Sequence, residues 1–304
     1  MFRSLLVPLD GSVFSEHALP FASAIAKRAG AGVQLLHVHV PLVYATGISI
    51  LDSSTDERAK DQEWAYLDRM VRRWMLAAPE VRMSTVLLEG FPPDVLREQT
   101  SKADLVVMAT HGRGPASRFW LGSVADALVR TTAVPLLLLR PSEQPPPVAL
   151  APPFHHVMVP LDGSDLAEQA LGPATQLGRL METSCTLVRV VKPVETLDSK
   201  VRWPAMTGMN EALTRQLLDE ARAYLDRIAE RLRGQGLAVQ TRILLHAHPA
   251  DAILEETRAQ GVDLLALATH GRGGLRRLLL GSVADKVLRG GVTPMLVCRP
   301  RTET

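Results

Sequence analysis

One string occurs twice in this chain, as ATHGRGPASRFWLGSVAD at Ala109–Asp126 and as ATHGRGGLRRLLLGSVAD at Ala268–Asp285. A shorter string does the same, LLVPLDGS at Leu5–Ser12 and VMVPLDGS at Val157–Ser164. Two anchors repeated in the same order require one supersecondary plan used twice. The PLDGS anchors are offset by 152 residues and the Gly loops by 159, so the second half carries a net seven extra residues between them. Between the halves lies PSEQPPPVALAPP, Pro141–Pro153, which reads as an extended proline-rich linker. The expected domains are 1–141 and 154–304, joined by 142–153.

In each copy an apolar run, LVVM or LLAL, enters a Gly-rich loop that ends in Gly-Ser before a helical pattern. Gly112 and Gly122 are separated by nine residues, as are Gly271 and Gly281. Glycine lets backbone approach a ligand closely, and the first amides of a helix lack internal partners and carry partial positive charge. Such a loop suits phosphate. The alternative is that the glycines only turn the chain while Ser123 and Ser282 cap helices, with Asp126 and Asp285 completing near capping boxes. Repetition of the whole string favours a ligand.

Taken in order, the first half predicts strands at Leu5–Leu9, Val33–Val40, Val81–Leu88, Leu105–Ala109 and Val134–Arg140. Helices are expected at Ser15–Arg28 (kinked by Pro20, stopped at Gly30), Thr55–Ala77 and Pro93–Ser101, and from Ser123. The second half repeats this, with strands near Val157, Thr186, Val239, Leu264 and Pro294 and a long helix at Asn210–Arg233. That helix places Leu213, Leu217, Ala221, Tyr224, Leu225, Ile228 and Leu232 at helical spacing. Strands of continuous Val and Leu alternating with helices imply an α/β fold: two doubly wound, five-stranded parallel-sheet domains in tandem. Ligands bind such sheets at the carboxyl ends of strands where strand order reverses, which should bring Asp10 to the Gly112 loop and Asp162 to the Gly271 loop.

Several chemistries are disfavoured. The P-loop signature is absent, and the dinucleotide fingerprint fails because Ser117 stands where its third glycine belongs. Lys and Arg number 34 against 32 acidic residues, with no run of five like charges, which gives no case for nucleic acid. The apolar run at the N-terminus is too short for a signal peptide or a membrane span, so a cytoplasmic location is expected. Cys185 and Cys298 sit in apolar runs and read as buried thiols. His37 and His39 alternate on one strand face, but no Cys or carboxylate nearby in sequence completes a zinc set, so no metal site is assigned. His111 and His270 are weak candidates for a catalytic base, and no residue is assigned catalysis.

These residues resemble the universal stress proteins, as a tandem-domain member. The family's pattern G-x2-G-x9-G-[ST] is met at Gly112, Gly122 and Ser123 and at Gly271, Gly281 and Ser282, with Ala109 and Ala268 in place of its first glycine. By that resemblance Asp10 and Asp162, with the backbone of Val38 and Val190, would hold a nucleoside. The Gly loops with Val124 and Val283 would hold phosphates. Arg113, Arg118, Arg272 and Arg277 occupy matching loop positions that can pair with phosphate, Arg272 being included in the site. The implied ligand is ATP or a related adenine nucleotide, with Mg²⁺ as its companion ion. The resemblance also implies a stress or signalling role with slow or no hydrolysis, no membrane partner, and an unidentified downstream protein. Family members dimerise through their last strands, so VPLLLLRP and TPMLVCRP are expected to pair within this one chain, as a unit that can pair again into a homodimer. The alternatives are a weak nucleotide hydrolase or transferase using His111 or His270, and a non-nucleotide scaffold. Pro115, Phe119 and Trp120 in the first loop stand where the second has Gly274, Leu278 and Leu279. Since proline removes an amide donor, the second half is expected to bind more tightly.

Overall fold

The computed structural model describes residues 2–41, 53–110, 121–141, 144, 154–194, 204–271 and 280–300, with only the backbone at 53 and 204–208. The chain divides into two compact units, Met1–Pro153 with Pro294–Arg301, and Phe154–Thr293 with Thr302–Thr304.

The first unit runs β1 (Ser4–Leu9), α1 (Val13–Glu16), α2 (Ala18–Ala29), β2 (Gly32–His39), α3 (Ser53–Ala77), β3 (Arg82–Glu89), α4 (Pro92–Thr100), β4 (Leu105–Ala109), α5 (Ser123–Thr131) and β5 (Leu136–Leu139). Its strands lie in the order β3-β2-β1-β4-β5, all parallel. The strand order reverses between β1 and β4, where Leu5 faces Leu105. A sixth strand, β10 (Met295–Cys298), joins antiparallel to β5 with Leu296 opposite Leu137, so the two terminal strands singled out in the sequence do pair.

The second unit repeats the plan as β6 (His156–Pro160), α6 (Asp165–Glu168), α7 (Leu171–Met181), β7 (Ser184–Val191), α8 (Pro204–Arg233), β8 (Val239–Leu245), α9 (Pro249–Ala259), β9 (Leu264–Ala268) and α10 (Ser282–Gly290). Its strands lie in the order β8-β7-β6-β9, parallel throughout.

The sequence explains these elements. Central strands are covered on both faces: Leu5, Val7, Leu105, Val106, Val107, Leu264 and Leu265 have no exposed surface. The edge strands β3 and β8 alternate between covered and solvated positions instead. Where one helix kinked at Pro20 was expected, two helices form, α1 ending at Glu16 and α2 starting after His17. Pro20 is the third residue of α2, where a missing N–H costs no internal bond, and Pro173 takes the same place in α7. Gly30 ends α2 at φ 64°, as its position predicts. On α8, Ala221, Leu225, Ile228 and Leu232 are buried, while Leu213 is 43% exposed.

Candidate functional site

Each PLDGS anchor builds a tight turn at the carboxyl end of the first strand. Gly11 and Gly163 sit at φ 79° and 86°, which favours glycine. The turn folds the aspartate onto the following serine: Asp162 Oδ1 accepts from Ser164 N–H (3.0 Å) and Ser164 Oγ (2.6 Å). Asp10 does the same with Ser12, at 2.9 and 2.6 Å. The serine then caps the next helix, Ser12 Oγ accepting from Ser15 N–H and Ser164 Oγ from Ala167 N–H. One oxygen of each carboxylate is thus fixed in place.

The Gly loops are closed at their roots by one backbone bond each, Gly122 N–H to Thr110 O and Gly281 N–H to Thr269 O, both 2.8 Å. A Cβ on Gly281 would lie 3.0 Å from that Thr269 carbonyl oxygen. A Cβ on Gly271 would collide with the Asp162 carboxylate. The expected meeting of Asp162 with the Gly271 loop therefore occurs at contact distance.

The helix starts differ from the capping-box alternative. Gly122 and Gly281 are the caps, Ser123 and Ser282 are already the first helical residues, and among the described residues no side chain caps either helix. Asp126 and Asp285 turn instead to the arginine one turn on, Asp126 with Arg130 at 2.7 and 3.0 Å and Asp285 with Arg289 at 2.9 and 3.0 Å. Asp285 N–H makes the first internal bond of α10, to Gly281 O. The amides of Ser282, Val283 and Ala284 precede it, at the positive end of the helix dipole.

In the second unit these pieces surround a cavity of about 870 Å³, a size within the ~300–1,000 Å³ usual for small-molecule sites. Asp162, Val190, Ala268, Gly271, Gly281, Ser282 and Val283 all line it. So do Arg189, Lys192, Leu217 and Ile253, for which the sequence offered no signal beyond their places on strand and helix. Arg189 lies over the Tyr224 ring, 5.1 Å from its centroid. His270 also lines the cavity; its Nδ1 is 2.9 Å from Thr269 Oγ1, and its Nε2 is buried with no hydrogen-bond partner among the described residues. One carboxylate, two basic side chains, an orphaned ring nitrogen and an uncapped helix start are features that fit a phosphorylated ligand. Gly112, His111, Arg113, Arg118, Arg272 and Arg277 lie outside the described residues, as do Pro115, Phe119, Trp120, Gly274, Leu278 and Leu279.

In the first unit Asp10, Val38, Ala109, Gly122, Ser123 and Val124 occupy the matching positions at the carboxyl ends of β1, β2 and β4 and the start of α5. Here the surroundings of Val38 differ. His37 and His39 are 4% and 2% exposed. Carboxylates do reach them, from α3 rather than from nearby sequence: His39 Nδ1 is 2.8 Å from Glu63 Oε2, His39 Nε2 3.1 Å from Asp56 Oδ1, and His37 Nε2 3.4 Å from Glu63 Oε1. Among the described residues no group of three or more ligating side chains is placed to hold a metal ion. Cys185 and Cys298 are buried free thiols, pushed up to about 12 by burial, which leaves them poor nucleophiles.

The universal stress protein family model matches residues 1–140 and 153–299. A universal stress protein of Mycobacterium tuberculosis is 26% identical over 307 residues, covering 98% of this chain and 97% of that one. One from Mycolicibacterium smegmatis is 25% identical over 300 residues, with 98% and 97% covered. Among solved structures, a universal stress protein from Archaeoglobus fulgidus shares the fold with a TM-score of 0.69 at 20% identity, covering 98% of this chain and 96% of its own. The chain belongs to the universal stress protein family, with the family's domain present twice in tandem.

Proposed function

We propose that this chain binds an adenine nucleotide, ATP being the leading candidate, and that the second unit is its tighter site. The observation that carries this is the cavity of about 870 Å³ in which Asp162, the Val190 strand end, Gly271 and the uncapped start of α10 converge. There the amides of Ser282 and Val283 would donate to phosphate oxygens, and the Asp162 oxygen facing Gly271 would accept from ribose. The Val190 backbone would meet the base. Arg272 at the loop would pair with phosphate, and Mg²⁺ would travel with the nucleotide. Asp10, Val38, Ala109, Gly112, Gly122, Ser123 and Val124 would form the weaker counterpart.

The role that follows is a stress or signalling protein in which bound nucleotide sets conformation or partner, with slow or no hydrolysis. We read it as cytoplasmic and able to form a homodimer, its two domains joined by the proline-rich linker 142–153. No helix among the described residues is long and apolar enough to cross a membrane.

Mass spectrometry of small molecules released from the purified chain, with thermal denaturation in millimolar ATP and Mg²⁺, tests this reading. Released adenine nucleotide and a raised melting temperature are expected, since ligand at 100 times its Kd stabilises by about 2.7 kcal/mol. No released nucleotide together with no thermal shift would sink it. The His270 Nε2, without a hydrogen-bond partner among the described residues, supports a second reading, a slow hydrolase. Turnover that survives in His270→Ala removes that role.

A further inference from the structure

Six ionisable side chains from three elements meet at the carboxyl edge of the first unit's sheet. His37 and His39 come from β2, Asp56, Lys60 and Glu63 from α3, and Glu89 from the end of β3. Beyond the histidine contacts already given, Lys60 Nζ lies 2.7 Å from Glu89 Oε2 and 3.4 Å from Asp56 Oδ2. His39 is the centre of the group, and both of its ring nitrogens face carboxylate oxygens, at 2.8 and 3.1 Å.

Two carboxylate oxygens against one ring call for a proton on each contact. A neutral imidazole has one N–H and one lone pair, so one of the two contacts would set a lone pair against a carboxylate oxygen. Only the doubly protonated ring donates to both Glu63 and Asp56. The charge count agrees: three carboxylates and one ammonium leave −2, which the His39 imidazolium reduces to −1. At 2% exposure the charged ring depends on these two carboxylate contacts, because burial alone disfavours the charge.

The second unit lacks the whole arrangement. Its PLDGS offset puts Val191 at the place of His39. Tyr66 and Tyr224, which bond equivalent glutamates, align Glu63 with Ala221, Asp56 with Thr214 and Lys60 with Leu218. Gly90 and His246, whose amides bond to His39 O and Val191 O, align Glu89 with Leu245. Five of the six positions are apolar or neutral in the other copy, and the sixth, His37, is replaced by Arg189.

We propose that His39 is a proton-operated clamp that fastens the N-terminal half of α3 to the sheet of the first unit. It is closed while the ring carries two protons and loosened when one is lost. The other groups facing it are accounted for. Tyr66 meets His37 edge-on at 6.3 Å, with the Arg69 guanidinium 6.0 Å from its ring, and its hydroxyl leads away to Glu16 and Arg73. Of these, burial raises both the Glu16 carboxyl and the Tyr66 hydroxyl from their usual ranges. The clamp stands independently of the nucleotide reading.

Hydrogen–deuterium exchange of the full chain at about pH 5.5 and pH 8, the range in which histidine changes charge, tests the proposal. Rates in residues 53–66 of α3 are compared with those in 211–224 of α8, each divided by its intrinsic rate. Closing by one bound proton predicts that opening of 53–66 rises relative to 211–224 by up to about tenfold per pH unit. The excess should vanish in His39→Val/Glu63→Ala, which installs the second unit's residues. The same pH response in both helices, or an excess that persists in the variant, overturns the clamp. Should the variant fail to fold, the ¹⁵N shifts of the His39 ring in the natural chain decide. Two protonated nitrogens near pH 6 support the proposal, and one contradicts it.

Discussion

In the second unit the end of β7 carries Arg189, Val190 and Val191 and opens on a cavity of about 870 Å³. In the first, the end of β2 carries His37, Val38 and His39 and is met by Glu63 and Asp56. The backbone frame around the two is the same: an Asp-Gly-Ser turn after the first strand, a loop closed by a Thr–Gly bond, a helix capped by glycine. Repetition therefore set the frame, and residues between the repeated strings set the chemistry. In one copy this edge lines a cavity, and in the other it carries an ion cluster.

A second pair of equivalent contacts gauges how far the copies differ in energy. Glu16 is 7% exposed and is held by Tyr66 OH (3.4 Å) and Arg73 (3.3 Å). Glu168, its counterpart, has a side chain 21% exposed, with Tyr224 OH at 3.0 Å and Arg231 at 3.2 Å. Removing one partner of a buried pair costs more than removing one at the surface. Arg73→Ala should therefore destabilise by about 2–3 kcal/mol, less than a fully buried pair because Arg73 is one-third exposed. Arg231→Ala should cost under about 1 kcal/mol. Urea unfolding followed by circular dichroism measures both, and equal losses would erase the contrast.

The pH dependence has a definite sign. Burial raises the Glu16 carboxyl despite Arg73, so its ionised form is penalised in the folded chain at neutral pH. Stability from this group is gained as pH falls through the raised value. The Arg73→Ala loss should shrink between pH 7 and pH 5.

The smallest contrast lies at the end of the second helix of each unit. Gly30 ends α2 at φ 64°, whereas Glu182 ends α7 at φ 57°, the single non-glycine at positive φ among the described residues. A side chain in that region costs about 1–2 kcal/mol, partly offset by the entropy of glycine. Glu182→Gly should stabilise by about 0.5–1 kcal/mol and Gly30→Ala should destabilise by a similar amount. The same urea titrations check this, with a destabilising Glu182→Gly as the contrary result.

Features with local causes were legible in the sequence. The Asp-Gly-Ser turn needs only a glycine at positive φ and a serine that caps, and the alternation of apolar strands with helices needs only periodicity. The capping alternative for Ser123 and Ser282 fails because serine next to glycine satisfies two patterns. Glycine takes the cap, and the aspartate that would complete a box finds a stronger partner in an arginine four residues on. Pro20 marked a break correctly, but whether a proline kinks or splits a helix depends on how many turns precede it. The His39 cluster was hidden for a different reason. Its carboxylates lie 17 and 24 residues away, across a stretch without periodic signal, and only the packing of α3 on β2 brings them together. The cavity-lining Arg189 and Lys192 were missed likewise, since a basic residue near a strand end reads as solvated.

Isothermal titration of the full chain with ATP, in Gly271→Ala and Gly112→Ala variants, tests the division of labour most directly. The chain must be kept whole, because Pro294–Arg301 packs with the first unit. In the second unit the added methyl meets the Asp162 carboxylate, and a loss of at least about 1.4 kcal/mol there corresponds to tenfold weaker binding. The account predicts that Gly271→Ala removes the tighter ATP site and Gly112→Ala leaves it. Tight binding that survives Gly271→Ala and disappears with Gly112→Ala would contradict it.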